Sequence, residues 1–271
     1  MKYDISIIIV LYKSEKHIGP LLDSIEKPKD GLKKQVIVID NYTQDNSAKI
    51  AKKHPLKPTV LEPGENLGFA KAVNLGLTKT TGEYIFLINP DTTLVGNSLK
   101  TLHSFAAKTS PLGAVVPKLV FSGNQAQPSV MKFPNIWNAF KHYFLCHKNQ
   151  FGKYLPKKAV EQVEVAVMAA FLIPMKVIKQ IGILDERFFL YYEDVDYCRR
   201  LKEANLPIYY LSKAKVRHVH GASANFVSHL KSPLAKSAII YHGWLGSNLL
   251  NLTLWFGQKW QKFILGKWIV L

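Results

Sequence analysis

The sequence predicts an α/β fold with a mostly parallel central sheet flanked by helices. Runs rich in β-branched residues cover positions 5–11, 36–39, 59–61 and 84–88, and segments of helical spacing separate them. Continuous apolar runs are typical of strands that are buried on both faces, as the strands of parallel sheets are. The alternation of such strands with helices at short spacing therefore favours a parallel sheet that is covered on both sides.

Helices are expected between these strands. Ser14 is the expected N-cap of the first helix, because the apolar residues after it recur at helical spacing. A polar helix is expected around residues 45–53, and a turn at Asn66 leads into a further helix that runs to Gly76.

The pattern is less regular in the second half of the chain. Residues 121–160 contain scattered Pro, Gly and aromatic residues and are predicted to be irregular. The later elements are strands at 163–173, 208–211 and 215–219, helices at 176–181 and 194–204, and a helical segment from about residue 230. We expect a catalytic domain over residues 1–228 and a C-terminal helical extension over residues 229–271.

The composition limits the class of protein. A hydrophobic content of 48% over 271 residues excludes a mainly disordered chain. The net charge of +17 favours an anionic partner, which can be nucleic acid, an acidic membrane surface or a phosphorylated substrate, although a lysine-rich surface can also serve solubility alone. Cys146 and Cys198 lack metal-site spacing and the N-terminus lacks a cleavable signal pattern, so a cytoplasmic location is expected.

Polar residues follow two of the predicted strands directly. Asp40 and Asn41 end the second strand, and Asn89-Pro90-Asp91 ends the fourth. Ligands of parallel sheets bind at the carboxyl ends of the strands, so these groups are expected to share one site. The Asp40 carboxylate can accept a hydrogen bond from the imide of uracil or thymine, and a helix-capping role fits it equally well. Pro90 fixes the turn that presents Asp91, a carboxylate of the kind that Mg²⁺ or Mn²⁺ uses, although Asn-Pro-Asp is also an ordinary turn.

A second acidic group lies about a hundred residues later. Asp196 and Arg200 are spaced i,i+4 and are interpreted as a structural pair. Glu193 and Asp194 follow two tyrosines and remain as candidates for a general base. His218 and His220 alternate on a predicted strand end, and one imidazole can complete the metal coordination that Asp91 begins.

These motifs, in this order, resemble the family 2 glycosyltransferases of the Rossmann-like GT-A fold, and within them the bacterial rhamnosyltransferase-like branch. The resemblance covers about residues 3–225. It is carried by Ser6-Ile-Ile-Ile-Val-Leu-Tyr12, Val38-Ile-Asp40-Asn41, Asn66-Leu-Gly-Phe-Ala-Lys71-Ala-Val-Asn74-Leu-Gly76, Leu87-Ile-Asn89-Pro-Asp91-Thr, Leu184-Asp-Glu-Arg-Phe-Phe-Leu-Tyr-Tyr-Glu193-Asp194 and His218-Val-His-Gly-Ala-Ser223.

The resemblance implies an inverting transfer of a hexose, with rhamnose as the leading hypothesis, from a dTDP- or UDP-sugar to a saccharide acceptor. It implies that Asp194, with Glu193 beside it, is the catalytic base, and that Asp91 and His218 hold a divalent Mg²⁺ or Mn²⁺ ion. The implied donor-binding residues are Tyr12, Asp40, Asn41, Asn66, Lys71, Asn74, Asn89 and Asp91. Tyr241-His-Gly-Trp244 stands where related enzymes often carry an Arg-Asn pair, which leaves the acceptor site open.

The C-terminal segment interleaves Trp255, Trp260 and Trp268 with lysines. This composition suits a helix in a membrane interface, and packing on the catalytic domain is the alternative. Together with the resemblance it leads us to expect an acceptor linked to a polyprenyl diphosphate, an anionic membrane surface as a partner, and a peripheral position on the inner face of the cell membrane.

Three other functions compete with this interpretation. A basic nucleic-acid-binding protein would explain the charge, but the sequence contains no recognised nucleic-acid motif, so no nucleic-acid partner is expected. A nicotinamide dehydrogenase would need a glycine-rich turn after the first strand, where Leu11-Tyr-Lys-Ser-Glu15 stands instead. A catalytically inactive nucleotide-sugar-binding module is disfavoured by the presence of Asp91, Asp194 and His218.

Overall fold

A nine-stranded sheet lies at the centre of the molecule. The computed structural model describes residues 2–219 and 227–265. The strands are β1 (Tyr3–Leu11), β2 (Lys34–Asp40), β3 (Thr59–Leu61), β4 (Gly82–Ile88), β5 (Thr92–Val95), β6 (Ala114–Val120), β7 (Val130–Met131), β8 (Lys153–Tyr154), β9 (Val160–Val163), β10 (Val165–Ala166), β11 (Ala170–Pro174) and β12 (Ile208–His218). The helices are α1 (Ile18–Glu26), α2 (Ser47–Lys53), α3 (Phe69–Leu77), α4 (Ser98–Lys108), α5 (Ile136–Tyr143), α6 (Met175–Ile181), α7 (Glu193–Glu203) and α8 (Val227–Leu265).

The main sheet is mixed, with the order β3-β2-β1-β4-β11-β6-β12-β5 and with β9 beside β12. Its first four strands are parallel. Strand β11 then enters antiparallel between β4 and β6, and β12 runs parallel to β6 but antiparallel to β5 and β9. The α/β class is confirmed, and the parallel half of the sheet is the half that the alternating pattern predicted.

The sheet is covered on both faces, as the continuous apolar strands require. Alternate residues of β1 divide between two hydrophobic clusters: Ile7 and Ile9 pack with α1, whereas Ile8 and Val10 pack with α3. A smaller sheet of order β10-β7-β8 adjoins the main one.

Four local predictions are corrected. Ser14 does not cap α1 with its side chain, because its hydroxyl donates to Tyr12 O at 3.0 Å and the N-cap position is His17. The region 121–160 contains α5, capped by the Asn135 side chain, and two short strands.

The other two corrections concern strands. The predicted strand at 163–173 is divided, because β10 pairs in the small sheet and β11 in the main sheet. Strand β12 is continuous, and its register on β6 shifts between Leu211 and Lys215, which explains why the sequence reads as two strands.

Helix α8 is the longest element and changes direction at Gly243, whose φ is 73° and ψ is 164°. Its first part contacts the loop before α7, and its second part packs against α5. Within the described residues, no helix has both the length and the hydrophobicity that crossing a membrane requires.

Candidate active site

The first group of predicted site residues lies at the carboxyl ends of β1 and β2. Leu11 pairs with Asp40 in the parallel register, and the next residues, Tyr12 and Asn41, follow at the same edge. The Tyr12 side chain is exposed, with the Lys13 ammonium 5.7 Å from the ring centroid. One Asp40 carboxylate oxygen accepts from the Thr43 backbone N–H at 3.0 Å. Asp40 therefore stabilises its own turn, while α2 begins several residues later at Ser47.

Asn41 holds the loop that precedes α3. Its buried amide nitrogen donates to Asn66 Oδ1 at 2.9 Å and to Gly68 O at 3.4 Å. Its oxygen accepts from Leu67 N at 2.8 Å. Since both amide hydrogens are engaged, the contacts of Asn41 position the Asn66 loop, and Asn66 itself remains exposed at the edge of the site.

The same loop is fastened to the segment before α7. Phe69 N donates to Phe189 O at 2.8 Å, and Gly68 has a φ of 76°. A Cβ atom at Gly68 would lie 2.4 Å from Phe189 O, so only glycine fits this close approach. The motif around Asn66 and the motif around Asp194, which are far apart in sequence, are thereby in direct contact.

Helix α3 contributes a second connection and one exposed cation. Asn74 is buried, and its amide donates to Leu184 O at 2.8 Å and to Glu186 Oε1 at 3.0 Å, while its oxygen accepts from Leu184 N. All its polar hydrogens bind the loop after α6, so Asn74 positions that loop. Lys71 is exposed on the first turn of α3.

The turn after β4 brings Asp91 and His218 together. Asn89 N donates to Ala169 O at 3.0 Å and Thr92 Oγ1 donates to Asn89 O at 2.6 Å, which fixes the turn. The antiparallel pairing of Thr92 with His218 then places Asp91 Oδ1 3.5 Å from His218 Nε2. Both side chains are mostly buried, with 12% and 15% of their surfaces exposed.

Gln127 sets the orientation of the His218 ring. His218 Nδ1 lies 3.1 Å from Gln127 Oε1, and Gln127 is buried. A neutral imidazole that donates from Nδ1 to this amide oxygen has its lone pair at Nε2, on the side of Asp91. One carboxylate oxygen and one imidazole nitrogen at this separation fit two neighbouring ligands of a single divalent ion. His220, the other histidine of the motif, lies outside the described residues.

One group of three possible metal ligands lies elsewhere in the described part of the chain. Asp23, Glu26 and His54 have ligand atoms within 4.8 Å of one another. They lie at the ends of α1 and α2, whereas the predicted site lies near the beginnings of these helices. Both carboxylates of the group are exposed. The Asp91–His218 pair is therefore the candidate metal site.

Glu193 and Asp194 form the first turn of α7. Tyr191 and Tyr192 precede them with φ angles of 69° and 67°, a left-handed conformation that is costly for bulky residues and concentrates at functional sites. Glu193 is buried and its Oε2 has no hydrogen-bond partner. Asp194 is partly exposed, and its Oδ1 accepts from Val195 N at 2.8 Å.

The surroundings of these two carboxyl groups favour different protonation states. Burial, together with the charge of Asp194, raises the pKa of Glu193 to about 8. Burial also raises the pKa of Asp194, but the Val195 N–H and the positive charge of Lys153 oppose the rise. A backbone N–H lowers the pKa of Glu193 as well, but only Asp194 also has a positive charge, that of Lys153, to stabilise its charged form. We therefore assign the proton of this pair to Glu193 and the charge to Asp194 at neutral pH.

Comparison with known proteins decides the family. The sequence model of glycosyl transferase family 2 matches residues 6–173. The chain belongs to this family.

One relative of this glycosyltransferase matches it over most of both chains. This relative is the N-acetylglucosaminyl-diphospho-decaprenol L-rhamnosyltransferase of Mycobacterium tuberculosis. The two sequences are 25% identical over an alignment of 266 residues, which covers 88% of this chain and 85% of the relative.

Solved structures confirm the GT-A fold. The mannosyltransferase PcManGT from Pyrobaculum calidifontis, in complex with GDP-Man and Mn²⁺, has a TM-score of 0.62 at 15% identity and covers 100% of this chain and 77% of its own. GalNAc-T7 with UDP, GalNAc and Mn²⁺ has a TM-score of 0.62 at 12% identity over 80% of this chain, which spans less than half of that protein (44%).

Asp196 has the structural role that its spacing predicted. In the glycosyltransferase structure it is buried and accepts from Arg199 at 2.7 Å and from Arg200 at 2.9 Å. Arg200 also donates to Ile181 O at 3.0 Å. These contacts attach α7 to the end of α6 and so support the turn that carries Glu193 and Asp194.

The sequence did not predict that Gln127 and residues of α8 lie near the candidate site. Ser237 Oγ donates to Leu190 O at 2.9 Å, and the ring centroids of Tyr241 and Tyr192 are 5.4 Å apart. The Arg199 guanidinium lies 5.4 Å from the Tyr241 ring centroid. The Tyr241 motif was noted in the sequence, but its contact with Tyr192 depends on how α8 folds back.

The raised pKa of Glu193 predicts a pH-dependent stability. An acid with an ordinary pKa of 4.5 and a folded-state pKa of about 8 binds more protons when folded, so it destabilises the folded state progressively as the pH rises between these values. We expect Glu193→Gln to remove this loss, which amounts to at most about 1.4 kcal/mol per pH unit. The measurement is the free energy of unfolding of both proteins by denaturant titration from pH 5 to pH 8.

The control for this prediction is Glu203→Gln, which removes an exposed carboxylate from the other end of the same helix. Its stability should follow that of the wild type at every pH. Parallel stability curves for wild type and Glu193→Gln would show that Glu193 is ionised in the folded protein.

Proposed function

We propose that the chain is a metal-dependent, inverting glycosyltransferase that moves a hexose, rhamnose in the leading hypothesis, from a dTDP- or UDP-sugar to a saccharide acceptor. The observation that carries this proposal is the Asp91–His218 pair, with its imidazole fixed by Gln127, at the same sheet edge as the predicted donor residues. The Glu193–Asp194 pair of α7, of which Glu193 is buried and Asp194 partly exposed, would supply the carboxylate base that the transfer also needs.

Asp91 and His218 would hold Mg²⁺ or Mn²⁺, and the donor diphosphate and water would complete the coordination. When bound, the ion neutralises the negative charge that grows on the departing nucleoside diphosphate. Two protein ligands suit an ion that binds mainly together with its substrate. The Mn²⁺ in the structures of PcManGT and GalNAc-T7 is in keeping with this assignment.

The base in this proposal is Asp194. Its carboxylate accepts the proton of the acceptor hydroxyl as that oxygen attacks the anomeric carbon, and the bond from that carbon to the diphosphate oxygen breaks on the opposite side. One such displacement inverts the anomeric configuration. Neutral Glu193 beside it keeps a second negative charge away from the acceptor oxygen, and the rings of Tyr191 and Tyr192 restrict water.

We propose that Asp40 and Tyr12 contact the nucleobase of the donor. The other parts of the donor would be contacted by Asn66, Lys71, Asn89 and Asp91. The contacts of Asn41 and Asn74 support a different role from the one that the resemblance implied, because their amide hydrogens already bind the surrounding loops. They would shape the donor pocket by positioning those loops.

The acceptor is proposed to be a saccharide on a polyprenyl diphosphate, at the inner face of the cell membrane. The name of the Mycobacterium tuberculosis relative, which acts on a diphospho-decaprenol, supports this class. The net charge of +17 is compatible with both a diphosphate-linked acceptor and an anionic membrane surface.

The experiment that tests the proposed donor is calorimetric titration of UDP, dTDP, GDP and CDP, each with and without Mn²⁺. We expect UDP or dTDP to bind, with an affinity that Mn²⁺ raises roughly tenfold or more. Tight binding of GDP alone would overturn the nucleotide assignment. Binding of none of them, with a salt-sensitive shift of duplex DNA, would favour a nucleic-acid-binding protein. Binding without turnover on any acceptor would favour an inactive module.

A further inference from the structure

The net charge of this chain is not spread evenly along it. Residues 92–160 and 204–271 contain no Asp or Glu, and together they contain 17 Lys and Arg. The remaining residues contain all 19 acidic groups and an equal number of cations, so the formal charge of +17 belongs wholly to these two segments. Helices α5 and α8 lie in the two segments, and they pack against each other.

All five tryptophans lie in the same two segments. Four of them, Trp137, Trp244, Trp255 and Trp260, are described by the structure and are between 43% and 70% exposed. Trp137 and Trp255 each have a lysine over the ring, with Lys141 Nζ 5.0 Å and Lys259 Nζ 3.7 Å from the centroids. Exposed tryptophan next to lysine is the composition of protein surfaces that sit at the headgroup level of a membrane.

After Gly243, the buried side of helix α8 carries mostly small and polar residues. Its buried residues after Gly243 are Ser247, Leu250, Gly257 and Gln261, and Gln261 Nε2 donates to His142 O at 3.2 Å. A Cβ atom at Gly257 would lie 2.6 Å from Tyr143 Cβ, so small and polar residues make the close contact with α5. A helix on the surface of a protein in water normally buries its large apolar residues and exposes the polar ones.

Most of the large apolar residues between Trp244 and Ile264 are exposed instead. Phe263 is 85% exposed and Leu245 is 64% exposed. An open groove of about 660 Å³ between α5 and α8 is lined mainly by Phe140, Phe144, Phe256, Trp260 and Phe263. We call the exposed sides of α5 and of residues 244–264 the docking face. An apolar face of this extent, including aliphatic residues that offer no stacking surface for bases, indicates an apolar partner.

We propose that the docking face binds the surface of an anionic lipid bilayer, with the tryptophans at headgroup depth and the groove open to acyl chains. The docking face includes Lys141, Lys259 and Lys262, whose positive charge complements anionic lipid, and each lysine near such a surface contributes to binding. The inference deepens the proposed function by naming the surface that meets the membrane. It includes α5, from a region that the sequence predicts to be irregular, as a second component beside the C-terminal helix.

The test is binding of the full chain to vesicles without donor or acceptor, so that it can fail while the proposed transferase function stands. Vesicles of phosphatidylcholine alone are compared with vesicles that also contain phosphatidylglycerol, by co-sedimentation and by tryptophan emission. We expect anionic vesicles to sediment the protein and to shift the emission to shorter wavelength, and added salt to weaken binding. Failure of wild-type protein to bind anionic vesicles would overturn the proposal.

Matched variants locate the surface. Phe256→Ser with Phe263→Ser, and Lys259→Glu with Lys262→Glu, should each lower the apparent affinity roughly tenfold or more. The controls are Ile183→Ser, an exposed apolar residue after α6, and Lys49→Glu with Lys53→Glu, an equal charge change on α2. Equal losses in test and control variants would overturn the assignment of this face. A stable dimer with short-wavelength emission in the absence of lipid would assign the face to a second copy, and loss of DNA binding in the same test variants would assign it to nucleic acid.

Discussion

Sugar transfer by the Asp194→Asn protein is expected to be roughly a thousandfold slower than by wild type, with nearly unchanged donor affinity. The substitution keeps the shape of the side chain and its hydrogen bond from Val195 N, but removes the oxygen that can accept a proton. Because this loss acts on the reaction and not on binding, kcat should fall while the dissociation constant of UDP or dTDP stays the same. The measurement combines steady-state transfer with calorimetric titration of the nucleotide.

Glu193→Gln is the control variant for this experiment. Since Glu193 is assigned the proton of the pair, a neutral amide resembles its state in the wild-type protein, and activity at pH 7 should be largely retained. If Glu193→Gln abolished transfer and Asp194→Asn left it intact, the roles of the two carboxyl groups would be exchanged. Equal retention in both variants would remove the pair from the mechanism.

Asp91→Ala is expected to abolish the dependence of nucleotide affinity on Mn²⁺. The substitution removes one of the two proposed protein ligands, so donor affinity in the presence of Mn²⁺ should fall to the metal-free level, a loss of roughly tenfold or more. Mn²⁺ binding is followed directly by electron paramagnetic resonance in the presence of nucleotide, which gives a measurement that does not depend on turnover. His218→Ala should have the same effect.

Two further variants separate the proposed metal site from general charge effects. Asp23→Ala removes one of the two exposed carboxylates of the Asp23–Glu26–His54 group and should leave Mn²⁺-dependent binding unchanged. Gln127→Leu leaves both ligands but removes the acceptor for His218 Nδ1, so metal affinity should fall by roughly tenfold to a hundredfold. Loss of binding in Asp23→Ala with retention in Asp91→Ala would place the metal at the other group.

The residues that the sequence located best are those at the ends of buried strands. A β-branched run defines where a strand ends, and topology then places Asp40 and Asp91 at the same edge of the sheet. Gln127 offered no such signal, because it follows β6 in a segment whose conformation depends on the bond from Gln127 N to Leu119 O and on the Val120–Ala126 bridge. Its contact with the His218 imidazole can be recognised only in the three-dimensional structure.

Conformations that depend on contacts between distant parts of the chain could also not be predicted from the sequence. Helix α5 has only eight residues and packs against α8, so its stability depends on a segment about a hundred residues away. The left-handed Tyr191 and Tyr192 contradict the preference of bulky residues, and the bonds from Phe69 N to Phe189 O and from Asp196 N to Tyr192 O hold the segment in place.

If the docking face binds a bilayer as proposed, the break at Gly243 would limit how far from the lipid the carboxyl pair of α7 could act. Tyr241 packs on Tyr192 beside the carboxyl pair, and Trp244, the first tryptophan of the docking face in α8, follows only three residues later. Because only three residues separate Tyr241 from Trp244, the carboxyl pair of α7 and a bilayer bound at the docking face would be held at a short spacing. A transferase placed in this way would act on acceptor hydroxyl groups that lie close to the membrane surface.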